Sequence, residues 1–468
     1  MTAQPLRNND DTARWRDSDL AHHLHPFTDT RALGESGGSR IVTQAEGVWL
    51  EDSEGNRLLD AMAGLWCVNV GYGRSELADV ARAQMLELPY YNTFFKTATP
   101  PSIELAERLV RLTPEGLNHA FFGSSGSDAN DTLVRLIRHY WNLMGKPDKK
   151  VFISREYAYH GSTMASASLG GMGGMHAQAD LPLPGFEHVM PPYWYDFGGK
   201  EQHAGESLED FGRRAARAVE DRILELGADK VAAFIGEPIM GAGGVLIPPE
   251  SYWPEIQRIC REHDVLLIAD EVICGFGRTG HWTASAMYDI KPDAMPMAKG
   301  LTSGYLPLSA VMIGDRLAEG LIQAGGEFQH GYTYSGHPVA CAVGLANLDI
   351  MEREQMVERT REETGPALRA ALEEALAGHP IVGEIRSSGL IGGIELVRDP
   401  ATRTHFDEPG ATGGICRDFC LENGLVMRAV RDVMVFSPPL CITLDEIGEM
   451  TTRAKRAIDQ TARAVGLG

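Results

Sequence analysis

The feature that most constrains this chain is a unit repeated through its centre: a short apolar run, a turn, then an amphipathic helix. One copy reads KVAAFIGEP (230–238), then YWPEIQRICREHD (252–264), then VLLIADEV (265–272). Trp253, Ile256 and the Ile259/Cys260 pair fall on one helical face between the two apolar runs. Parallel neighbouring strands require such crossovers. The expected fold is therefore α/β, with a mostly parallel central sheet buried on both faces.

The ends of the chain read differently. VWLEDSEGNRLLDAMAG, from Val48, alternates as a hairpin with its turn at Ser53 to Asn56. IVGEIRSSGLIGGIEL and LVMRAV read as strands, and Ile447, Met450, Ala454, Ala457 and Ile458 mark an amphipathic final helix. This predicts a large domain over residues 76–336 and a smaller α+β domain over 337–468, completed by the N-terminal segment 1–75. The first 40 or so residues read as loop-rich. His22, His23 and His25 among them read as a surface turn, because no spaced carboxylate or cysteine accompanies them, and no metal is expected.

At 468 residues, 43% hydrophobic and 23% charged, the chain has the composition of a soluble globular protein of two or three domains. A formal net charge of -21 opposes nucleic acid and anionic membrane partners, so an anionic cofactor needs a locally reversed field. The opening MTAQPLRNNDDTARWRDSDL lacks an export-type apolar core, and no later run approaches membrane-spanning length, which predicts a cytoplasmic protein. Seven cysteines, scattered from Cys67 to Cys441, form neither a disulfide framework nor a zinc spacing and read as reduced thiols.

The lysines are few, and most sit beside Gly, Pro, Asp or charged partners. Lys299 instead lies in PDAMPMAKGLTSGYLPLSA, an apolar and small-residue stretch where an ammonium is costly. A lysine in a dry pocket loses proton affinity and becomes the nucleophilic amine that Schiff-base chemistry needs, while Gly300 lets a ring approach the backbone. A snorkelling lysine at a strand end fits that segment equally well. Asp270 closes the run VLLIAD at the strand end expected to face a cofactor, where a carboxylate pairs with a pyridine nitrogen. Taken alone, it also reads as a helix cap. FFGSSGSDANDTLVRLIRHYW reads as a strand, a Gly/Ser turn and a helix, whose free N–H groups and the hydroxyls of Ser125 and Ser127 suit a phosphate.

Together these residues resemble the class III, or ω-amino-acid, aminotransferases of pyridoxal-phosphate fold type I, over about residues 30–460. IADEVICGFGRTG, AKGLTSGYLPLSAV, GSSGSDAN and GYTYSGHP carry the resemblance, in the family's order. It implies pyridoxal 5'-phosphate as cofactor, with pyridoxamine 5'-phosphate as its intermediate form. Lys299 would be the Schiff-base lysine and proton shuttle, and Asp270 the partner of the pyridine nitrogen. Ser125, Gly126 and Ser127 would hold the phosphate, with Thr333 reaching the phosphate of the neighbouring subunit. Tyr159 would stack on one face of the ring and Val272 pack on the other, with His160 adjacent and Glu237 near Asp270. Asp128 stands where the family usually has Glu.

AGLWCVNVGYG, YNTFFK and PPYWY look like amine:pyruvate transaminases in particular. That likeness implies that Leu65, Trp66, Phe94, Phe95 and Tyr159 line substrate pockets, and that Arg428 binds a substrate carboxylate or swings away for an uncharged amine. It also implies a homodimer or tetramer, small amines and keto acids as partners, and a two-stage transfer in which Lys299 moves a proton from the substrate carbon. An amino-acid decarboxylase or aminomutase of the same family is the alternative. A more distant one is a nicotinamide oxidoreductase, since Gly275, Gly277 and Gly280 satisfy G-x-G-x-x-G; Asp270 and Glu271 just ahead would repel a pyrophosphate.

Overall fold

A computed structural model describes residues 9–200 and 203–468; the first eight residues of the polar N-terminus lie outside the described residues. Strands β1 (Val42–Glu46), β2 (Trp49–Asp52) and β3 (Arg57–Asp60) form an antiparallel N-terminal sheet, with the β2–β3 turn at residues 53–56 as the alternation predicts. The central sheet comprises β4 (His119–Gly123), β5 (Val151–Arg155), β6 (Phe186–Val189), β7 (Val231–Gly236), β8 (Leu266–Ala269), β9 (Ala294–Met297) and β10 (Ser309–Ile313). Its order is β4-β10-β9-β8-β7-β5-β6. From β9 to β6 every pairing is parallel, and only β10 runs against its neighbours, β9 and β4.

Alternation along these strands builds two cores. On β8, Leu266 and Ile268 join Leu133, Ile137 and Trp141 of the helix Gly126–Leu143 on one face. Leu267 and Ala269 face the other way, against Trp253 and Ile256 of the helix Tyr252–Glu262 and Phe211 and Val219 of the helix Leu208–Leu226. Both faces are thus dry, which is why these strands read as continuous apolar runs.

Strands β11 (Val382–Ser388), β12 (Ile391–Leu396), β13 (Leu425–Val426), β14 (Arg428–Val430) and β15 (Val433–Phe436) lie toward the C-terminus. LVMRAV splits at Met427: β13 pairs in parallel with β3, whereas β14 pairs with β15 in the sheet β11-β12-β15-β14. The N-terminal segment is therefore stitched to C-terminal strands. The final helix runs Leu444–Ala464 with Ile447, Met450, Ala454, Ala457 and Ile458 buried.

Two expectations need correction. The start of the chain is not loop-rich but forms the helices Asn9–His22 and Thr30–Glu35, the second capped by the Asp29 carboxylate. The first is polar all round, so no apolar periodicity announces it. The histidine turn also has a carboxylate: Asp19, one helical turn before His23, accepts from His23 Nδ1 at 3.0 Å and His25 Nε2 at 2.8 Å. Among the described residues no helix is long and apolar enough to cross a membrane.

Candidate active site

Because β4 runs parallel to β9 across the reversed β10, six strands send their C-terminal ends to one edge of the sheet, and five of them lead into expected site residues. Ser125 follows β4, Tyr159 and His160 follow β5, Glu237 follows β7, Asp270 and Val272 follow β8, and Lys299 follows β9. β8 and β9 are direct neighbours, so Asp270 and Lys299 stand side by side at their ends. In open α/β sheets this carboxyl edge is where ligands bind.

Asp270 is buried and satisfied by three donors. Its Oδ2 accepts from His160 Nδ1 at 2.7 Å and Asn130 Nδ2 at 3.0 Å, and its Oδ1 accepts from the Val272 N–H at 3.0 Å. Behind them, Glu237 Oε1 accepts from Tyr159 N and Oε2 from Gly241 N at 2.8 Å, and burial raises its carboxyl above the usual range. Glu271, also buried, takes the Ala284 and Ser285 N–H groups and the Ser285 hydroxyl, and burial pushes it up to about 7.

Lys299 adopts φ +47, a left-handed conformation that costs roughly 1–3 kcal/mol in a non-glycine residue and is held here by its surroundings. Asn347 Nδ2 donates to the carbonyls of Gly300 and Leu301 at 2.9 and 3.1 Å, fixing the turn. Burial lowers the Lys299 amine below the ordinary lysine range, against the pull of Asp270, Cys67 and Glu237. The Gly300 expectation is corrected: a Cβ there would meet Asn69 Nδ2 at 2.4 Å and Phe276 Cβ at 3.0 Å, so the missing side chain serves packing within the chain.

The phosphate turn is built as a helix cap. Ser125 Oγ accepts from Asp128 N, and Asp128 Oδ1 in return accepts from Ser125 N at 2.8 Å and from the Ser309 hydroxyl at 3.1 Å. Asp128 Oδ2 takes Ser124 N. Ser127 Oγ accepts from Ser162 N, tying the turn to the Tyr159 loop. Gly126 sits against Val272, whose Cγ1 would lie 2.9 Å from an added Cβ. Among the described residues the N–H groups of Gly126 and Ser127 meet no acceptor.

Trp66 is buried against this edge, its ring 5.8 Å from Lys299 Nζ and 5.1 Å from Arg428 Cζ. Arg428 is partly desolvated, which lowers its pKa, and has no carboxylate within 4.0 Å among the described residues. Tyr159 is half-buried, its hydroxyl 3.0 Å from Ser162 Oγ. Other expected residues are not brought in within one chain. Leu65 is exposed, while Phe94 and Phe95 line a separate surface hollow with Phe121, Arg135 and His330. Thr333 is exposed too, its carbonyl accepting from the Tyr90 hydroxyl at 2.7 Å.

Two contributors escaped the sequence reading. Asn130 grips Asp270, and its signal was a polar residue on the otherwise apolar face of Leu133 and Ile137. Phe27 places its ring 6.4 Å from that of Tyr159, from a segment with no periodic signal at all. The G-x-G-x-x-G run opens no helix: residues 274–280 form turns, and Gly280 packs on the Arg361 backbone.

A buried amine beside a hydrogen-bonded carboxyl group at the carboxyl edge of a parallel sheet has the chemistry of an enzyme that captures carbonyl groups. The chain belongs to the class III aminotransferases, whose family description, "Aminotransferase class-III", matches residues 33–458. It is 54% identical over 457 residues to a putrescine–pyruvate aminotransferase of Pseudomonas aeruginosa, covering 98% of each chain. A diaminobutyrate–2-oxoglutarate transaminase of Halomonas elongata is 43% identical over 455 residues, 96% of each. Among solved structures, an ω-transaminase from Pseudomonas jessenii in complex with PMP superposes with a TM-score of 0.94 at 44% identity, over 97% of this chain and 99% of that one. The fold is thus that of the pyridoxal-phosphate fold type I ω-transaminases, and the chain is an aminotransferase.

Proposed function

We propose that this enzyme binds pyridoxal 5'-phosphate and moves the amino group of a primary amine, diamine or ω-amino acid to pyruvate, giving alanine. The observation that carries the reading is Lys299 beside Asp270 at the ends of β9 and β8, with the open N–H groups of Gly126 and Ser127 on the same edge. The site fits the cofactor: a helix start with free donors for a phosphate, a carboxyl group held by three donors for a ring nitrogen, and a buried amine for an aldehyde. When bound, the cofactor supplies an electron sink for the substrate carbon and carries the amino group, as pyridoxamine 5'-phosphate, between the two halves of the reaction.

The residues then divide the work. Lys299 Nζ would hold the aldehyde and, freed by the incoming amine, would take the proton from the substrate carbon and deliver it to the carbon of the cofactor that receives the amino group. Asp270 would accept from a protonated ring nitrogen, with His160 and Asn130 fixing its orientation. Val272 and Tyr159 confine the ring, and Glu237 keeps the Tyr159 backbone in place. Arg428, without a carboxylate partner among the described residues, grips that of a keto acid with its planar fork. The named activity of the Pseudomonas aeruginosa relative supports pyruvate as acceptor and a diamine as donor.

The test is alanine production from 1,4-diaminobutane and pyruvate by purified enzyme with added cofactor. Transfer to 2-oxoglutarate alone, or carbon dioxide release in place of transfer, would overturn it.

A further inference from the structure

Away from the Lys299 cluster, the carboxylate of Asp60 is buried without a cation among the described residues. Asp60 closes β3, is fully buried, and has no Lys, Arg or His within 4.0 Å among the described residues. A buried anion persists only where hydrogen bonds replace water. Here there are three: from Met62 N at 2.8 Å, from Gly64 N at 2.6 Å and from the Tyr72 hydroxyl at 2.7 Å.

Those bonds hold an unfavourable turn. Ala63, Gly64 and Trp66 have φ of +47, +66 and +58, and two of the three are not glycine. Gly64 has little room besides, since an added Cβ would lie 3.3 Å from both the Tyr72 hydroxyl and Val68. Without an acceptor for the Met62 and Gly64 N–H groups, the turn relaxes toward ordinary φ. The outcome of the turn is the placement of Trp66 between Lys299 and Arg428 and of Leu65 outward. The indole N–H of Trp66 finds no acceptor among the described residues, so the backbone turn and packing set its position.

We propose that Asp60 is a positioning residue that sets which amines the enzyme accepts, by locking the strained 62–66 turn that holds Trp66 as a wall of the amine pocket. This rests on Trp66 being such a wall. Tyr72 is its auxiliary, supplying one of the three donors.

The test compares kcat/KM for a compact donor, 1,4-diaminobutane, with that for an aryl donor, 1-phenylethylamine, both with pyruvate. Asp60→Asn should change the ratio by about tenfold, chiefly through KM, and Tyr72→Phe by about threefold in the same direction. Amide exchange should quicken over residues 61–67 in both variants and stay unchanged over β7 and β8. Adding Asp60→Asn to Trp66→Ala should move the ratio no further than Trp66→Ala does alone. An unchanged ratio in Trp66→Ala would overturn the pocket reading itself. A shift in Trp66→Ala with none in Asp60→Asn, or an equal loss for both donors, would overturn the role of Asp60 alone. Should Asp60→Asn fail to fold, Tyr72→Phe decides: no shift in ratio and no change in exchange refutes the proposal.

Discussion

At Lys299, solvation and reactivity are the same question. Burial makes the ammonium costly, so the folded protein binds that proton less tightly than the unfolded chain does. Folding therefore carries a penalty at every pH where the unfolded lysine is charged. The penalty is complete below the lowered folded pKa and fades as pH rises toward about 10.4, the unfolded value. Cofactor-free Lys299→Met should thus melt above the cofactor-free parent at pH 7, with the gap closing by about pH 10. Melting curves across that range check it, and a constant gap would assign the difference to packing. With cofactor present, Lys299→Ala should lose turnover by about 10⁴-fold or more, since holding and proton transfer vanish together. Arg428 acts on one substrate only: Arg428→Ala should raise KM for pyruvate by roughly ten- to a hundredfold while KM for 1,4-diaminobutane stays near its value.

The element that best joins stability to chemistry is the start of the helix Gly126–Leu143. Asp128 closes its capping box and also takes the Ser124 N–H and the Ser309 hydroxyl, so a single side chain binds turn, helix and β10 together. Asp128→Ala should cost about 1 kcal/mol by urea unfolding and weaken cofactor retention on dialysis, because the free N–H groups lose their fixed direction. Asp128→Glu should lose less on both counts. This helix shows why so much was legible beforehand: its apolar face, its Gly/Ser turn and the strand ahead are all local signals, and the same holds for β7 and β8. Position along the chain then fixed the edge at which Lys299 and Asp270 emerge, since parallel crossovers leave one carboxyl end. What was not legible depends on side chains meeting across distance or on polar segments. The Asn130 bond to Asp270 spans two elements, and the helix Asn9–His22 carries no apolar face to reveal it.

Taken as a whole, one chain leaves part of its expected site on the outside. Phe95 is 87% exposed and Tyr334 60%, beside Tyr90, which holds the Thr333 carbonyl. Such a cluster of exposed aromatics marks an association surface, and we read it as the place where a second copy completes each site. On that reading Lys299 of one protomer works with Thr333 of the other. Two damaged proteins can then repair each other. If Lys299→Ala and Thr333→Ala chains are co-expressed, a mixed dimer carries both lesions in one site and neither in the other, so activity at limiting cofactor should exceed that of either parent. Were Thr333 to serve its own chain's site, each mixed dimer would hold one lesion per site and no recovery would follow. Random pairing makes about half the dimers mixed, enough for purification by paired affinity tags and a rate measurement on the hybrid alone. Sedimentation of Phe95→Asp provides the companion measurement: loss of the dimer should take transamination with it, and an active monomer would place the complete site within a single chain.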